Sequence, residues 1–215
     1  MQRASRNRPR LRALILAALT CVAGVLQTGC VETPTVVVVP DRFPIGLSPG
    51  VAPGEADGCS NDGPSAGRLL GRVYDIPLET RLLPDFDALS PVEAVCLDRL
   101  EVTPRRSVYP GFPGLRDRFR WFAVDLQGLV QVDEPGVFDF RLTSDDGSQL
   151  YVDDALVVDN DGYHPTRMAL GAAHLSGGKH ALRVGYWQGP GPMALVLEVA
   201  RPGDAYHVLQ MDRPM

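Results

Sequence analysis

Large apolar residues recur at every second position along much of the second half of the chain. In residues 137–143, Phe138, Phe140 and Leu142 are separated by single polar residues. Residues 180–186 and 193–200 show the same spacing of large apolar side chains. Successive side chains of a β-strand point to opposite faces, so this period predicts half-buried strands. Further strands are predicted at 69–74, 98–103, 119–125, 128–133, 148–153, 155–159 and 167–175.

These strands outline one all-β domain at residues 67–202. Asp153 and Asp154 stand between two of the predicted strands and suit a two-residue hairpin turn. Only residues 84–95 could hold a short helix. Nine or ten strands in about 136 residues predict an antiparallel β-barrel or sandwich. A C-terminal tail follows at residues 203–215.

The first 29 residues have the pattern of an export signal. Arginines between Arg3 and Arg12 precede the apolar run Ala13–Leu26. A bilayer span needs about 20 apolar residues, so this shorter run is typical of a signal peptide. Gln27–Cys30 then resembles the lipobox of bacterial lipoproteins, although Gln27 replaces the usual leucine. We expect lipidation at Cys30; ordinary secretion and an uncleaved membrane anchor are the alternatives.

The location implied by this signal is the cell envelope. By resemblance to enterobacterial lipoproteins, Val31 in place of an aspartate favours the outer membrane. Residues 31–66 hold six prolines and five glycines, so residues 30–66 are predicted to be the lipidated cysteine and a disordered linker. The run Val36–Val39 could add an edge strand, but prolines bracket it. Residues 46–50 match the G-x-S-x-G pattern of hydrolases by chance, because flanking prolines leave no strand and helix around them.

Charge and cysteine content narrow the function classes. The whole chain has a net charge of −5, but residues 30–215 hold 16 basic and 26 acidic residues. This balance disfavours nucleic-acid binding. In an oxidising compartment Cys59 and Cys96 are expected to form a disulfide, with two unpaired thiols as the alternative. No Cys-x-x-Cys motif supports thiol redox catalysis or a zinc ribbon.

Three segments of the β domain resemble a known family. They are RLTSDDGSQLYVD at 141–153, VVDNDGYH at 157–164 and LSGGKHALRVGY at 175–186. In this order they resemble the protective-antigen-fourteen (PA-fourteen, PA14) domain, a β-barrel module of bacterial toxins, adhesins, glycosidases and yeast flocculins. The modules of bacterial fibro-slime-type surface proteins are a close second resemblance. The similarity is strongest over 119–201 and extends back to Gly67.

The resemblance implies a calcium site at Asp145 and Asp146. In lectin-like members such a pair is joined by a cis peptide and binds one Ca²⁺, whose open positions accept sugar hydroxyls. Calcium needs six to eight oxygen ligands and would offset the repulsion of adjacent carboxylates. The family's third side-chain ligand is an asparagine, and Gln188 stands at its position here. The loop 189–192 after it is shorter than in sugar-binding adhesins. The alternative is that the aspartates only form a tight turn.

Other residues around these motifs are candidates for ligand contact. Trp187 and Tyr163 could stack on a sugar ring, although aromatic residues at strand ends also pack cores. Asp161 and His164 could contact the ligand or the calcium, or lie in a surface turn. The histidines show no metal-binding spacing.

The leading hypothesis is a lipid-anchored surface module that binds a glycan or an envelope polysaccharide, with Ca²⁺ as the candidate cofactor. The alternative is a non-catalytic structural or protein-interaction module of the envelope or extracellular matrix. An enzyme is the least favoured class, since 186 mature residues leave no room for a separate catalytic domain.

Overall fold

A computed structural model of the chain describes residues 35–39, 67–106 and 111–215. These residues form twelve β-strands and one short 3₁₀ helix at Phe86–Ala88. The strands are β1 Val36–Val38, β2 Leu69–Asp75, β3 Glu93–Leu97, β4 Glu101–Arg106, β5 Phe122–Val132, β6 Gly136–Asp145, β7 Ser148–Val152, β8 Ala155–Asn160, β9 Arg167–Leu175, β10 Gly178–Gln188, β11 Pro192–Ala200 and β12 His207–Val208.

The strands assemble into two six-stranded sheets. The first sheet has the order β1-β9-β6-β11-β12, and β4 also pairs with β11. The second has the order β3-β2-β5-β10-β7-β8. All pairs are antiparallel except β1 with β9. The all-β prediction is therefore confirmed, and in the described part of the chain the architecture is a sandwich rather than a closed barrel.

The core lies between the sheets and follows the period of two. Phe138, Phe140 and Leu142 of β6 are each at most 2% exposed, as are Leu182 and Val184 of β10. Burying one such side chain contributes about 1.5–3 kcal/mol. The polar residues between them point outward, which is why alternation predicted these strands correctly.

Three elements differ from the predictions. Residues 122–132 form one strand instead of two, and the predicted helix at 84–95 is a 3₁₀ turn followed by β3. Val36–Val38 lie in the region predicted to be a linker, but they pair in parallel with β9. Prolines are tolerated beside an edge strand, so the bracketing prolines did not prevent this pairing.

Several sequence predictions fall outside the described residues. They are the export signal, Cys30, the 46–50 motif and Cys59. Cys96 is disulfide-bonded, and its pairing with Cys59 stays a prediction. Within the described ranges, no helix has the length and apolar character needed to cross a membrane.

Strand register brings five strand ends together at one end of the sandwich. Ser144 of β6 pairs with Arg167 of β9, and Ser148 of β7 pairs with Asn160 of β8. β10 reaches the same end, because its Tyr186 also pairs with Ser148. The motifs singled out in the sequence therefore meet at this end.

Candidate functional site

The acidic pair lies at the end of β6. Asp145 is the last residue of the strand, and a cis peptide bond joins it to Asp146. The cis geometry is what the family resemblance implied. Asp145 is 4% exposed and Asp146 is 2% exposed, so both residues are almost completely removed from water.

Neutral donors hold the two carboxylates. The Thr166 hydroxyl donates to Asp145 Oδ2 at 2.9 Å, and the Gly189 backbone N–H donates to Asp146 Oδ2 at 2.7 Å. No arginine or lysine of the described ranges forms an ion pair with either residue. The pKa of Asp146 is raised from 3.8 to about 6, mainly because burial disfavours the charged carboxylate. The charge of Asp145 acts in the same direction, whereas the backbone N–H groups of Gly189 and His164 and the nearby His164 ring act against it. The pair is thus a buried concentration of negative charge.

Gln188, the predicted third ligand, lies next to the pair and is fully buried. Its Oε1 accepts a short hydrogen bond from the Tyr186 hydroxyl, which also donates to the Asp145 carbonyl oxygen at 2.7 Å. Its Nε2 donates to the carbonyls of Gly189 and Pro192 at 2.9 and 2.8 Å. Burial raises the pKa of Tyr186 well above its usual value, so the hydroxyl stays protonated. Gln188 therefore fixes the 189–192 loop beside the acidic pair.

Asp161 joins three segments around the site instead of facing solvent. Its Oδ1 accepts from the Trp187 indole N–H at 3.1 Å and from the Gly162 N–H at 2.7 Å. Both carboxylate oxygens lie 3.0 Å from the backbone N of Leu83. The predicted ligand contact of Asp161 is not matched by this geometry, because the carboxylate is already occupied by structural hydrogen bonds.

The aromatic pair is divided between the core and the surface. Trp187 is fully buried, whereas Tyr163 is 49% exposed and stacks on it at 6.3 Å between ring centroids with an interplanar angle of 26°. A buried ring cannot stack on a sugar, so the predicted ligand-contact role of Trp187 is corrected to support of Tyr163. Tyr163 remains the accessible aromatic residue of this pair.

His164 is also less accessible than predicted. It is 9% exposed, and its ring nitrogens lie 2.8 Å from the carbonyl oxygens of Asn160 and Pro165. With both nitrogens engaged, the ring stabilises the turn after β8 instead of reaching outward to a ligand.

Two contributors to the site were missed in the sequence. Thr166 lies outside any motif and reaches Asp145 only through the fold. Arg81, from the segment before the 3₁₀ helix, places its guanidinium carbon 4.6 Å from the centroid of Tyr163. Neither residue has a local sequence signal, since both lie far along the chain from the residues that they contact.

The donor set limits how a cation could bind here. Within the described ranges, no cluster of three His, Cys, Asp or Glu side chains is suited to hold a metal ion. A cation at the pair would therefore use Asp145 and Asp146 together with neutral oxygens. Carbonyl oxygens and water are ordinary ligands of Ca²⁺, so this donor set suits a hard cation better than zinc.

A separate cavity of about 330 Å³ lies at the opposite end of the second sheet. Its lining includes Gln131, Lys179 and Arg213. Lys179 pairs with Gln131, whereas Gln188 at the other end of β10 pairs with Phe122. The nine residue steps between Lys179 and Gln188 span about 30 Å, so this cavity is remote from the acidic pair.

Fold and site together define a β-sandwich domain with a paired-aspartate site at one end. Residues 111–213 match the family model of the PA14 domain. The match confirms, for this part of the chain, the resemblance to the PA14 domain that the motifs predicted. The comparison with curated protein sequences gives no significant match.

Solved structures share the fold at low sequence identity. The PA14 sugar-binding domain from an RTX adhesin superposes with a TM-score of 0.58 at 18% identity, covering 68% of this chain and 97% of that chain. The PA14 domain of the MpAFP antifreeze protein gives a TM-score of 0.60 at 20% identity, covering 73% and 94%. An anti-sigma factor domain-containing protein from Clostridium clariflavum gives 0.52 at 20% identity, covering 77% and 53%. These likenesses concern the fold.

Proposed function

We propose that the chain is a non-catalytic module that binds carbohydrate through a Ca²⁺ ion held by Asp145 and Asp146. The observation that carries this proposal is the buried pair of adjacent carboxylates, which form no ion pair with an arginine or lysine of the described ranges. Buried charge is costly unless it is compensated, and a divalent cation would supply the missing opposite charge. The match to the PA14 family model and the likeness to a sugar-binding adhesin domain support carbohydrate as the ligand class.

The surroundings of the pair suit a ligand that is both polar and ring-shaped. Tyr163 offers a half-exposed aromatic ring close to Asp146. The ideal Cβ position on Gly189 lies 3.0 Å from Asp146 Oδ2 and 3.6 Å from Tyr163 Cε2. A methyl group placed at this Cβ position would therefore touch both the Asp146 carboxylate and the edge of the Tyr163 ring. A sugar could coordinate the cation through hydroxyls while its apolar part packs against the exposed portion of the Tyr163 ring.

A second candidate is a structural or protein-interaction module that needs no calcium. The observation that favours it is that the Gln188 side-chain amide is already hydrogen-bonded at both ends. Its oxygen accepts from the Tyr186 hydroxyl, and its nitrogen donates to two backbone carbonyls. If Gln188 keeps these bonds, the cation has fewer protein ligands. The two candidates differ in whether calcium stabilises the domain.

Thermal unfolding of the mature chain tests the calcium proposal. Ca²⁺ at about 100 times its dissociation constant should stabilise the fold by about 2.7 kcal/mol relative to a chelator. Asp146→Asn should remove this shift, whereas the exposed Asp133→Asn should keep it. An equal midpoint with and without Ca²⁺ would favour the second candidate. A glycan array with and without chelator then tests sugar binding itself.

We further propose that a lipid on Cys30 holds the module at the cell envelope, with the outer membrane as its location. The support is the arginine-rich start, the fourteen-residue apolar run and the small residues before the cysteine. Cys30→Ala should release the protein from the membrane fraction. Retention of that variant in the membrane would favour an uncleaved anchor.

A further inference from the structure

Arg81 lies beside the candidate site with its charge available. Its guanidinium carbon is 4.6 Å from the centroid of the exposed Tyr163 ring, and its side chain is exposed. Stacking on an aromatic face leaves the in-plane N–H donors of a guanidinium free. No hydrogen-bond acceptor or carboxylate of the described ranges pairs with Arg81, whereas Arg141 and Arg183 pair with Glu198 and Asp125.

The position of Arg81 is determined by the core. Leu83, two residues later, donates its backbone N–H to Asp161, and Asp161 also accepts from the buried Trp187. Tyr163 stacks on the same Trp187. Two contacts thus hold the segment that carries Arg81: the hydrogen bond from Leu83 to Asp161 and the cation–π contact of Arg81 with Tyr163. The guanidinium is held at the edge of the site instead of extending freely into solvent.

The segment that carries Arg81 lies outside residues 111–213, which match the family model. The family match therefore assigns no role to Arg81. Tyr163 lies between Arg81 and the acidic pair, and its ring edge is close to Asp146 on the other side of Gly189. A ligand that contacts the exposed portion of Tyr163 would lie between a cation at the acidic pair and the Arg81 guanidinium.

We infer that this site selects glycans that carry an anionic group, either a uronic-acid carboxylate or a sulfate ester, and that Arg81 binds that group. Guanidinium groups form bidentate hydrogen bonds with such planar or branched oxyanions. A local cation is needed, because residues 30–215 hold 26 acidic and only 16 basic residues and repel anions overall. The inference rests on the proposed glycan-binding function and specifies its ligand class.

The test compares acidic and neutral glycans on the full mature chain in millimolar Ca²⁺. Uronic-acid oligosaccharides are measured beside their carboxyl-reduced forms, and sulfated oligosaccharides beside their desulfated forms. Wild type should prefer at least one acidic form, and Arg81→Gln should lower the ratio of acidic to neutral glycan binding about tenfold. Arg81→Lys should keep part of the preference, since it keeps the charge. Arg213→Gln, an equal loss of charge at the remote end, should bind as wild type does.

The outcomes distinguish the inferred selection of acidic glycans from the proposed glycan binding itself. An acidic preference that Arg81→Gln removes supports the inference, and the arm that shows it identifies carboxylate or sulfate. Equal binding of acidic and neutral forms, or an unchanged ratio in Arg81→Gln, overturns the inference while calcium-dependent binding of neutral glycans still upholds the proposed function. Absence of binding to every glycan overturns both. Equal melting temperatures of the variants show that folding is intact.

Discussion

Gly147 separates the acidic pair from the residues that support Tyr163. A Cβ at this position would lie 2.4 Å from Trp187 Nε1, 2.5 Å from Asp161 Oδ1 and 2.8 Å from the backbone N of Gly162. Because these atoms belong to a buried hydrogen-bonded junction, they cannot move apart cheaply. Gly147→Ala is expected to destabilise the fold by about 1–3 kcal/mol, measured by denaturant unfolding.

The control for this change is Gly177→Ala. The nearest atoms to its Cβ would be 3.8–3.9 Å away, which is ordinary contact. Its stability should stay within about 0.5 kcal/mol of wild type. Equal stability of the two variants would show that the junction around Gly147 is not tightly packed.

The raised pKa of Asp146 predicts a pH dependence of the metal-free fold. Its pKa is about 6 in the folded state against an ordinary 3.8, so the folded state binds the proton more tightly than the unfolded state. The contribution of this group to stability is therefore complete below pH 3.8 and is lost as the pH rises through 6. Its full size is about 3 kcal/mol.

Unfolding by denaturant between pH 3.5 and 7.5, with chelator present, measures this contribution. The stability of wild type relative to Asp146→Asn should fall as the pH rises across that window. The exposed Asp133→Asn provides the matched comparison and should keep the wild-type slope. A constant difference between wild type and Asp146→Asn at all pH values would contradict the raised pKa.

At the scale of elements, one side chain links the turn of the β7–β8 hairpin to β10, in addition to the main-chain pairing of β7 with β10. Asp153 Oδ2 lies 2.6 Å from His180 Nδ1, and Asp153 Oδ1 accepts from the backbone N–H of Ala181 at 2.7 Å. The side chains of this pair are 4–5% exposed. Asp153→Ala leaves buried donors without their acceptor and is expected to cost about 2–4 kcal/mol.

The neighbouring Asp154 offers a matched control for backbone strain. Both turn residues have positive φ, +47° at Asp153 and +64° at Asp154. Alanine is disfavoured in this conformation at either position, so Asp154→Ala reports the backbone cost alone. In denaturant unfolding, the free energy of unfolding of Asp153→Ala should be lower than that of Asp154→Ala by at least about 1 kcal/mol. Equal losses of stability in the two variants would mean that the whole effect comes from the turn backbone and not from the side-chain hydrogen bonds of Asp153.

The elements also show which parts of the fold sequence patterns could predict. Alternation identified β6 and β10 because one face of each is core, and adjacent aspartates identified the β7–β8 turn. β5 was predicted as two strands, 119–125 and 128–133, although it runs without a break through Gly128. In the structure a Cβ there would lie 2.7 Å from Met211 Cε and 2.9 Å from the Arg68 carbonyl oxygen, so the glycine allows close approach within a strand.

The residues of the candidate site also fall into those that the sequence predicted and those that it could not predict. Asp145 and Asp146 were found through their motif, because the residues that define the family are neighbours in the chain. The burial of Trp187 and the use of Asp161 as a structural acceptor depend on the segment around Leu83, which is 78 residues away from Asp161. Contacts across such separations leave no periodic or local signal, and this is also why Arg81 and Thr166 were missed.

At the scale of the whole molecule, β1 changes how far the domain can lie from a lipid on Cys30. Between Gly67 and Cys30 a fully extended chain would reach about 120 Å. Val36–Val38 pair with β9, however, and Val39 is 6% exposed within the core. Only six residue steps, about 20 Å, then separate Cys30, the proposed lipidation site, from the sheet. The linker would hold the domain close to the membrane instead of lifting it away.

Releasing β1 should therefore move the domain outward. Val39→Asp places a charge in the core and favours detachment, whereas Val38→Asp changes a side chain that is 77% exposed. A donor dye on Lys179, the single lysine of the chain, reports distance by energy transfer to acceptor lipids in vesicles. Val39→Asp should lower the transfer while Val38→Asp leaves it near wild type, provided that both remain folded and vesicle-bound. Equal transfer in all three proteins would mean that β1 does not set the distance, and that the domain stays at the membrane through contacts of its own surface.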